Sequence, residues 1–474
     1  MVKISGQAQN DEAVRSLKKP RNARQIWFNI THSLKRRRYH PTPPNQTRQA
    51  IMSSDTTDTT PTTPSISNSE LLAFIEPDQQ RLLDTFFKLV QIDSPSLEEA
   101  DVAAYLGEVF TDLGLTVLFD SSQEATGSNT GNLLARLPER LFTDTDPDDS
   151  GFDATALELM QAFRNLENPT RRLFFSSHMD TVEPGRGISP QIIDGVISSA
   201  GPTILGGDDK VGITALIEML TLLAESKLPH PEIIIMLSVA EELGLKGAKA
   251  IDGGFLNFAG EPCLVLDADG APGNVIIGAP FLAEMTATFH GRAAHAGVSP
   301  EAGASAIRAA AKAVAAMPMG RIDEGATANI GTIQGGNANN IVAESCLVTG
   351  EARALEQPRL RQIMAEIEAC FNNAAEEVGC QVDLQFNEAF AGFRLDKDDD
   401  LVKLITDACQ TLGLSSRASY TGGASDANIF AGKGLKPVVL GTGMTDVHSK
   451  DESLALSDMV NLVRLITLIA LSYR

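Results

Sequence analysis

The sequence predicts an α/β protein in which a mostly parallel sheet is flanked by helices and interrupted by an inserted α+β domain. Short apolar runs alternate with amphipathic helical patterns, which is typical of a buried parallel sheet with helices on both faces. Between residues 282 and 394 the order changes to β-α-β-β-α-β, a split βαβ unit. The first pattern then resumes. We therefore predict one domain from residues 70–281 and 395–474, with residues 282–394 inserted into it.

Length and charge limit the possible functions. A chain of 474 residues exceeds what one core usually serves, so two or three domains are expected. Eleven Lys and Arg against two acidic residues give residues 1–52 a charge of +9, so the net charge of −22 leaves −31 for the rest. This acidic body argues against nucleic acid as a partner, and no apolar run reaches the ~20 residues of a membrane helix. Five cysteines without metal or disulfide spacing are typical of a cytoplasmic protein.

Residues 1–69 differ in composition from the rest. A basic stretch is followed by Ser/Thr/Pro-rich sequence, which predicts a disordered tail. The basic part is similar to organelle transit peptides and to basic arms that bind nucleic acid. Alternatively, translation begins at Met52 and the upstream residues are not part of the mature protein.

Hydrophobic periodicity places the elements of both domains. In the larger domain, helices are predicted at 80–92, 98–113, 154–166, 210–225 and 398–413, and strands at 131–137, 173–176, 233–239, 263–266 and 437–440. In the inserted domain, strands are predicted at 282–289, 328–333, 345–354 and 381–386, and helices at 302–317 and 358–378. An insertion is favoured over two consecutive domains because it keeps His448 with the polar segments of the larger domain.

Five polar segments follow or flank the apolar runs of the larger domain. They are His178 with Asp180, Asp208 with Asp209, Glu241 with Glu242, Asp267 with Asp269, and His448. Three of them come directly after predicted strands, and in parallel sheets reactive groups gather beyond the carboxyl ends of strands. Two histidines and at least four carboxylates are a ligand set for two divalent metal ions.

Each segment suggests a role. Asp180 can accept a hydrogen bond from His178 and fix its tautomer. Asp208 has two oxygens and can bridge two metals, while Asp209 is a helix cap or supports the ligands from behind.

The two adjacent glutamates are predicted to have different roles. Glu242 is predicted to bind metal, and Glu241 to act as the general base on a water that the metals activate. Asp267 is favoured as a further ligand over Asp269, which suits a turn. His448, after a turn at 441–445, is the last ligand.

His295 lies in the inserted domain without a neighbouring carboxylate. Its imidazole can donate a hydrogen bond to the oxyanion of a tetrahedral intermediate. An ordinary turn histidine is the alternative.

These segments belong to six longer motifs. They are His178-Met-Asp-Thr-Val-Glu-Pro-Gly185, Thr203-Ile-Leu-Gly-Gly-Asp-Asp-Lys210, Glu241-Glu-Leu-Gly-Leu-Lys-Gly247, Ala294-His-Ala-Gly297, Gly422-Gly-Ala-Ser-Asp-Ala427 and His448-Ser-Lys-Asp-Glu452. Because the six motifs occur in this order, the chain resembles the dizinc aminoacylase, carboxypeptidase and tripeptidase superfamily. Within that superfamily it is most similar to the peptidase T-like branch. The resemblance, over residues 75–474, implies a zinc peptidase catalytic domain and a ferredoxin-like lid domain through which two copies dimerise.

The resemblance also implies roles for individual residues. One zinc would be held by His178, Asp208 and Asp267, and the other by Asp208, Glu242 and His448. Glu241 matches the general base and Asp180 the residue that orients the first histidine. His295 matches a lid histidine that family dimers supply to the substrate, and Asn340 and Arg353 match lid positions that bind substrate. Co²⁺ or Mn²⁺ would suit the same ligands.

The expected function is a zinc-dependent exopeptidase that removes N-terminal residues from short peptides. Thr421 stands where classical tripeptidases carry an arginine, so strict tripeptide specificity is in doubt, and the acidic insert at 139–170 has no functional explanation. The alternative is an amidohydrolase, deacylase or carboxypeptidase acting on N-acyl or N-carbamoyl amino acids. A non-catalytic metal-binding protein is disfavoured because ligands and base are intact.

Overall fold

The computed structural model describes residues 72–140, 171–226 and 228–473. The predicted tail at 1–69, the acidic insert from 141 onwards and the helix at 154–166 lie outside the described residues. In the described parts no helix is both long and apolar enough to cross a bilayer.

The described strands agree with the predicted ones and add several short ones. They are, in chain order, β1 (Thr116–Phe119), β2 (Leu133–Leu137), β3 (Arg172–His178), β4 (Pro190–Ile193), β5 (Val196–Ser199), β6 (Glu232–Ser238), β7 (Pro262–Ala268), β8 (Asn274–Ala279), β9 (Phe281–His290), β10 (Gly320–Asp323), β11 (Ala326–Gly335), β12 (Ser345–Ala354), β13 (Gln381–Phe390), β14 (Phe393–Arg394), β15 (Arg417–Tyr420), β16 (Lys436–Gly441), β17 (Met444–Thr445) and β18 (Ser453–Ala455).

The described helices cover both faces of the larger sheet and one side of the inserted domain. They are α1 (Gln79–Val90), α2 (Ala100–Asp112), α3 (Gln123–Thr126), α4 (Gly207–Ser226), α5 (Lys246–Ala250), α6 (Gly253–Leu256), α7 (Ala306–Ala316), α8 (Gln357–Val378), α9 (Asp400–Thr411), α10 (Asp426–Gly432) and α11 (Leu456–Ser472).

The largest sheet is parallel at its centre and mostly antiparallel towards its edges, although the short strand β15 pairs parallel with β8. Its order is β1-β2-β6-β3-β7-β16-β8-β14, with β15 also paired to β8. The pairs β6–β3, β3–β7 and β7–β16 are parallel, whereas β1, β2, β14 and the β16–β8 pair are antiparallel. The fold class is therefore confirmed, and parallel pairing is concentrated where the strands are buried on both faces, as expected for near-continuous apolar runs.

Helix α4 is the most deeply buried helix of the larger domain. It packs beside α1 and α11 against the sheet, and its one buried glutamate, Glu218, is compensated by Arg81 of α1. The Arg81 Nη2 lies 2.6 Å from Glu218 Oε1, and the Asp78 N–H donates to the same oxygen over 3.0 Å. The buried charge thus ties the start of α1 to the middle of α4.

The inserted domain is a five-stranded antiparallel sheet in the order β10-β11-β12-β9-β13, packed against α7 and α8. Its core is made of its own residues, including Phe289 and Phe371, whose ring centroids are 5.5 Å apart. The predicted β-α-β-β-α-β order is present, with β10 as an additional short strand before β11. The precise limits of the two domains stay a prediction.

A small third sheet was not predicted from the sequence. Its order is β17-β18-β5-β4, and it holds the loop that carries His448. The predicted turn at 441–445 is therefore wrong in part, because β16 continues to Gly441 and Met444 pairs with Leu454. The β4–β5 hairpin turns through Asp194 and Gly195, both with positive φ, and an Asp-Gly pair between apolar residues is a recognisable hairpin signal.

Candidate metal centre

The candidate site lies beyond the carboxyl ends of the central parallel strands. His178 is the last residue of β3, and Asp267 is the last residue but one of β7. Glu241 and Glu242 follow β6, whose last residue, Ser238, pairs with His178. Parallel pairing in register brings these three strand ends together.

One group of potential ligands contains His178, Asp208 and Asp267. The His178 Nε2 lies 2.9 Å from Asp208 Oδ1 and 3.7 Å from Asp267 Oδ1. Their ligand atoms all lie within 4.8 Å of one another, which is compatible with a single metal ion between them. Asp269 is not in the group, and its backbone oxygen accepts a hydrogen bond from Asn274.

A second group contains Asp208, Glu242 and His448. The His448 Nε2 lies 2.8 Å from Glu242 Oε1 and 3.2 Å from Asp208 Oδ2. Asp208 therefore directs one carboxylate oxygen to each histidine. Two groups that share a carboxylate are the donor arrangement of a dinuclear site, and their nitrogen and oxygen atoms suit Zn²⁺, Co²⁺ or Mn²⁺.

The charges in these groups are arranged to hold cations. Burial would lower the pKa of His178, but hydrogen bonds with Asp180, Asp208 and Asp267 raise it well above its usual value. Hydrogen bonds with Asp208 and Glu242 raise the pKa of His448 to about 10. Burial, followed by the charge of Asp208, raises the pKa of Asp267 to about 6. Such crowded carboxylates need nearby positive charge, so the chemistry of the donor set fits bound metal ions.

Asp180 does more than orient a histidine. The His178 Nδ1 is 3.0 Å from the Asp180 backbone oxygen and 3.3 Å from its Oδ1, which leaves Nε2 directed towards Asp208. The Asp180 carboxylate also accepts the N–H groups of Glu241 (3.0 Å) and Glu242 (3.3 Å). One buried side chain therefore positions three of the sequence-predicted site residues.

Glu241 lies beside the ligand groups without belonging to either of them. Its side chain is almost buried, at 9% exposure. Burial, followed by the charge of Asp267, raises the pKa of the Glu241 carboxyl well above its usual value. A buried carboxyl with a raised pKa beside a cluster of potential ligands is a candidate for proton transfer.

Asp209 supports the end of β3 and does not cap α4. It is fully buried, and its Oδ2 accepts hydrogen bonds from the Ser177 hydroxyl and, over 3.3 Å, from the His178 N–H. Of the two readings left open by the sequence, the supporting role fits these contacts.

None of the three lid residues belongs to either ligand group of the described chain. His295 is exposed, and its Nδ1 accepts the Gly297 N–H over 3.2 Å. The Asn340 backbone oxygen accepts the Ala296 N–H over 2.9 Å, so the loops of His295 and Asn340 are neighbours. Arg353 is ion-paired with Glu351 at 2.8 Å and donates to the Gly422 oxygen at 2.9 Å, which links the inserted domain to the catalytic domain.

Several buried charged residues around the site were not among those predicted from the sequence. Glu99 accepts the N–H groups of Ala240 and Leu97, each over 2.9 Å, and holds Ala240 at a φ of 49° just before Glu241.

Lys210 is 1% exposed and donates to the Met179 oxygen. Burial lowers the pKa of Lys210 to about 8 against the charges of Asp180, Asp209 and Glu99. In the sequence, Lys210 is indicated only by its position after Asp208 and Asp209, and no local pattern indicates a role for Glu99.

Two protein-family models match parts of the chain. The peptidase dimerisation domain of the M20 family matches residues 277–379, and peptidase family M28 matches residues 161–253. The first match covers the inserted domain from β9 to α8 but ends before β13, and the second ends shortly after Glu242.

Similar proteins cover most of the chain. The structure of aminopeptidase PepT from Bacillus cereus is 36% identical in sequence with a TM-score of 0.75, and the similarity covers 83% of this chain and 98% of that one. A tripeptidase from Staphylococcus aureus is 32% identical, with a TM-score of 0.74 and the same coverage of both chains. The uncharacterized protein YqjE of Bacillus subtilis is 36% identical over 392 residues, which is 98% of its length.

Fold, site and similarities together define a metallopeptidase with a dimerisation domain inserted into its catalytic domain. The chain belongs to the peptidase T-like family.

Proposed function

We propose that this protein is a zinc-dependent exopeptidase that removes N-terminal residues from short peptides. The observation that carries this proposal is Asp208, whose two oxygens face His178 and His448 at 2.9 and 3.2 Å. Similarity to an aminopeptidase and to a tripeptidase supports a short peptide as the substrate. Free cysteines at all five positions support a location in the reducing cytoplasm.

In this proposal two zinc ions occupy the two ligand groups. His178, Asp208 and Asp267 hold one ion, and Asp208, Glu242 and His448 hold the other. Co²⁺ or Mn²⁺ would fit the same donors. When bound, such ions polarise the scissile carbonyl and make a water molecule acidic enough to lose a proton near pH 7.

The general base in this proposal is Glu241. Its carboxyl takes the proton of the attacking water and returns it to the amine that leaves. Burial favours this role, because it raises the pKa of the Glu241 carboxyl and so makes the carboxylate a stronger proton acceptor. Asp180 fixes the backbone of Glu241 by accepting its N–H, so the carboxyl keeps its place during turnover.

The lid is proposed to complete the site by supplying His295, Asn340 and Arg353 to the substrate. Arg353 pairs with Leu282 at one end of β9, whereas His290 at the other end leads into the His295 loop. Eight residues of strand separate these positions, which is about 26 Å. A short peptide cannot touch both ends, so we propose that two copies form a homodimer and that His295 comes from the partner.

The Glu241 assignment predicts that Glu241→Gln lowers kcat by about 10²- to 10⁴-fold, the usual contribution of a general base. Both metals should remain bound in elemental analysis, because Glu241 is outside the two ligand groups. Glu232→Gln is the matched control, since Glu232 is a buried glutamate at the opposite end of β6. Near-normal turnover in Glu241→Gln would exclude Glu241 as the base.

Substrate class is tested on the wild-type, metal-loaded protein. We expect cleavage of di- and tripeptides with a free amine and little cleavage of their N-acylated analogues. Because Thr421 replaces the tripeptidase arginine, tripeptides should not be strongly preferred over dipeptides. Preference for N-acyl or N-carbamoyl amino acids would instead support the amidohydrolase alternative.

A further inference from the structure

The carboxylate of Glu452 is buried among backbone N–H groups of the Asp208 loop. Its Oε2 accepts the N–H groups of Leu205 (2.8 Å) and Gly206 (2.9 Å), and its Oε1 accepts the N–H of Asp208 itself (3.0 Å). The residue is 1% exposed, and within the described residues no lysine, arginine or histidine forms an ion pair with it. Burial raises the pKa of the Glu452 carboxyl, whereas its three hydrogen bonds with backbone N–H groups favour the ionised form.

Glu452 follows His448 by four residues on the same loop, between β17 and β18. Its side chain therefore joins the loop of His448 to the loop of Asp208, which lies 244 residues earlier in the chain. His448 has a φ of 61°, in the left-handed region that non-glycine residues keep only when their surroundings hold them. The contact is close, because a Cβ on Gly207 would lie 3.0 Å from Glu452 Oε1.

We propose that Glu452 is a positioning residue that fixes Asp208 relative to His448 and so sets the affinity of the metal ion held between them. This inference depends on the proposed dinuclear centre. All three hydrogen bonds go to backbone atoms, which leaves both side-chain oxygens of Asp208 free to face the two histidines. The ion between Asp208, Glu242 and His448 takes ligands from both loops that Glu452 joins. The other ion takes a ligand from the Asp208 loop but none from the His448 loop.

The test is Glu452→Gln. A carboxamide has one acceptor oxygen, and it can make two hydrogen bonds only by facing Leu205 and Gly206, as Oε2 does now. Its NH₂ group then faces the N–H of Asp208, two donors oppose each other, and the Asp208 backbone is released. Partners behind metal ligands typically contribute about 10- to 100-fold to metal affinity, so one binding step should weaken by that factor.

The measurement is a two-step titration of the metal-free protein with Zn²⁺ against a competing chelator. The step that is lost in His448→Ala identifies the ion beside His448, and the same step should be the weakened one in Glu452→Gln. Saturating Zn²⁺ should restore most of the kcat of Glu452→Gln. Glu218→Gln is the matched control, because Glu218 is 2% exposed and also accepts a backbone N–H, but on the far part of α4. It should lower Tm and leave both binding steps within twofold.

Unchanged affinities in Glu452→Gln, with a Tm loss like that of Glu218→Gln, would reduce Glu452 to a structural residue and overturn the proposal. If Glu452→Gln does not fold, Glu452→Asp keeps the charge and shortens the reach, so it should weaken the same step. Normal binding in that variant would also overturn the proposal. A wild-type protein that binds fewer than two ions would instead remove the dinuclear centre itself.

Discussion

At the scale of single residues, Asp208 connects more of the site than its neighbours do. Its side chain faces both histidines, and its backbone is held by Glu452. Burial would raise the pKa of Asp208, but His178 and His448 lower it below its usual range. Asp208 thus stays ionised, as a bridging ligand requires.

Removing the shared carboxylate should therefore differ from removing an unshared one. We expect Asp208→Ala to lose both metal ions and Asp267→Ala to lose one, because Asp267 belongs to a single ligand group. Elemental analysis of the two purified variants measures this directly. Asp269→Ala is the control and should keep both ions. Loss of only one ion from Asp208→Ala would mean that this residue does not bridge.

The buried carboxyl of Asp426 should make the stability of the protein depend on pH. Its carboxyl is 2% exposed, it accepts a hydrogen bond from the Ser238 hydroxyl, and its Oδ1 has no partner among the described residues. Burial raises its pKa from 3.8 to about 7. Between these values the folded protein holds a proton that the unfolded chain has lost, so the free energy of unfolding falls as pH rises.

Asp426→Asn removes this titration. In urea denaturation of the metal-free protein, the variant should match the wild type near pH 4 and be more stable than it near pH 8. Asp400→Asn is the control, because Asp400 has the same position in the first turn of α9 but is exposed. A difference between Asp426→Asn and wild type that does not grow with pH would contradict the buried-carboxyl interpretation.

At the scale of secondary-structure elements, buried charges hold helices and loops in place. The Arg81–Glu218 pair joins α1 to α4, whose first turn carries Asp208. We expect Arg81→Ala to destabilise the fold by about 3 kcal/mol, because it leaves a charged glutamate buried without its partner. Lys312→Ala breaks an exposed pair with Glu377 and should barely change stability. Thermal and urea denaturation of both variants measure the difference, and equal effects would contradict it.

At the scale of the whole molecule, the inserted domain has a surface that suits the proposed homodimer. On the side of β10, only residues 326–328 of β11 are paired, so the rest of that strand presents a free edge within the described chain. Ile333 of β11, Ile307 of α7 and Ile341 are exposed near it, and exposed apolar surface beside an unpaired strand favours association.

A charge on this surface should therefore separate the copies. We expect Ile333→Asp to shift the protein from dimer to monomer in sedimentation or light-scattering measurements. Turnover should fall with dimer content while both metals stay bound, because the inserted domain has its own core and none of the potential ligands. Ile193→Asp, at an exposed isoleucine on the β4–β5 hairpin, should remain dimeric. Dimers of unchanged stability in Ile333→Asp would place the interface elsewhere.

The sequence by itself determined the fold class, the insertion and the candidate ligands. Each of these has a local signal: apolar periodicity reports which face of an element is buried, and several carboxylates and histidines that each follow or flank an apolar run together indicate one site, although a single one would not. The same pattern made His178, Glu242, Asp267 and His448 candidate ligands, whereas their division into two groups was implied only by the family resemblance and appears in the described structure.

Only the tertiary structure decided how the site is held. The contacts of Glu99 with Ala240 and of Glu452 with Asp208 join residues 141 and 244 positions apart. The small sheet that carries His448 likewise pairs Leu454 with Ile197. Hydrogen bonds to backbone N–H groups leave no residue pattern at the donor, because every residue except proline has one. Which carboxylate meets which amide is therefore set by the folded chain alone.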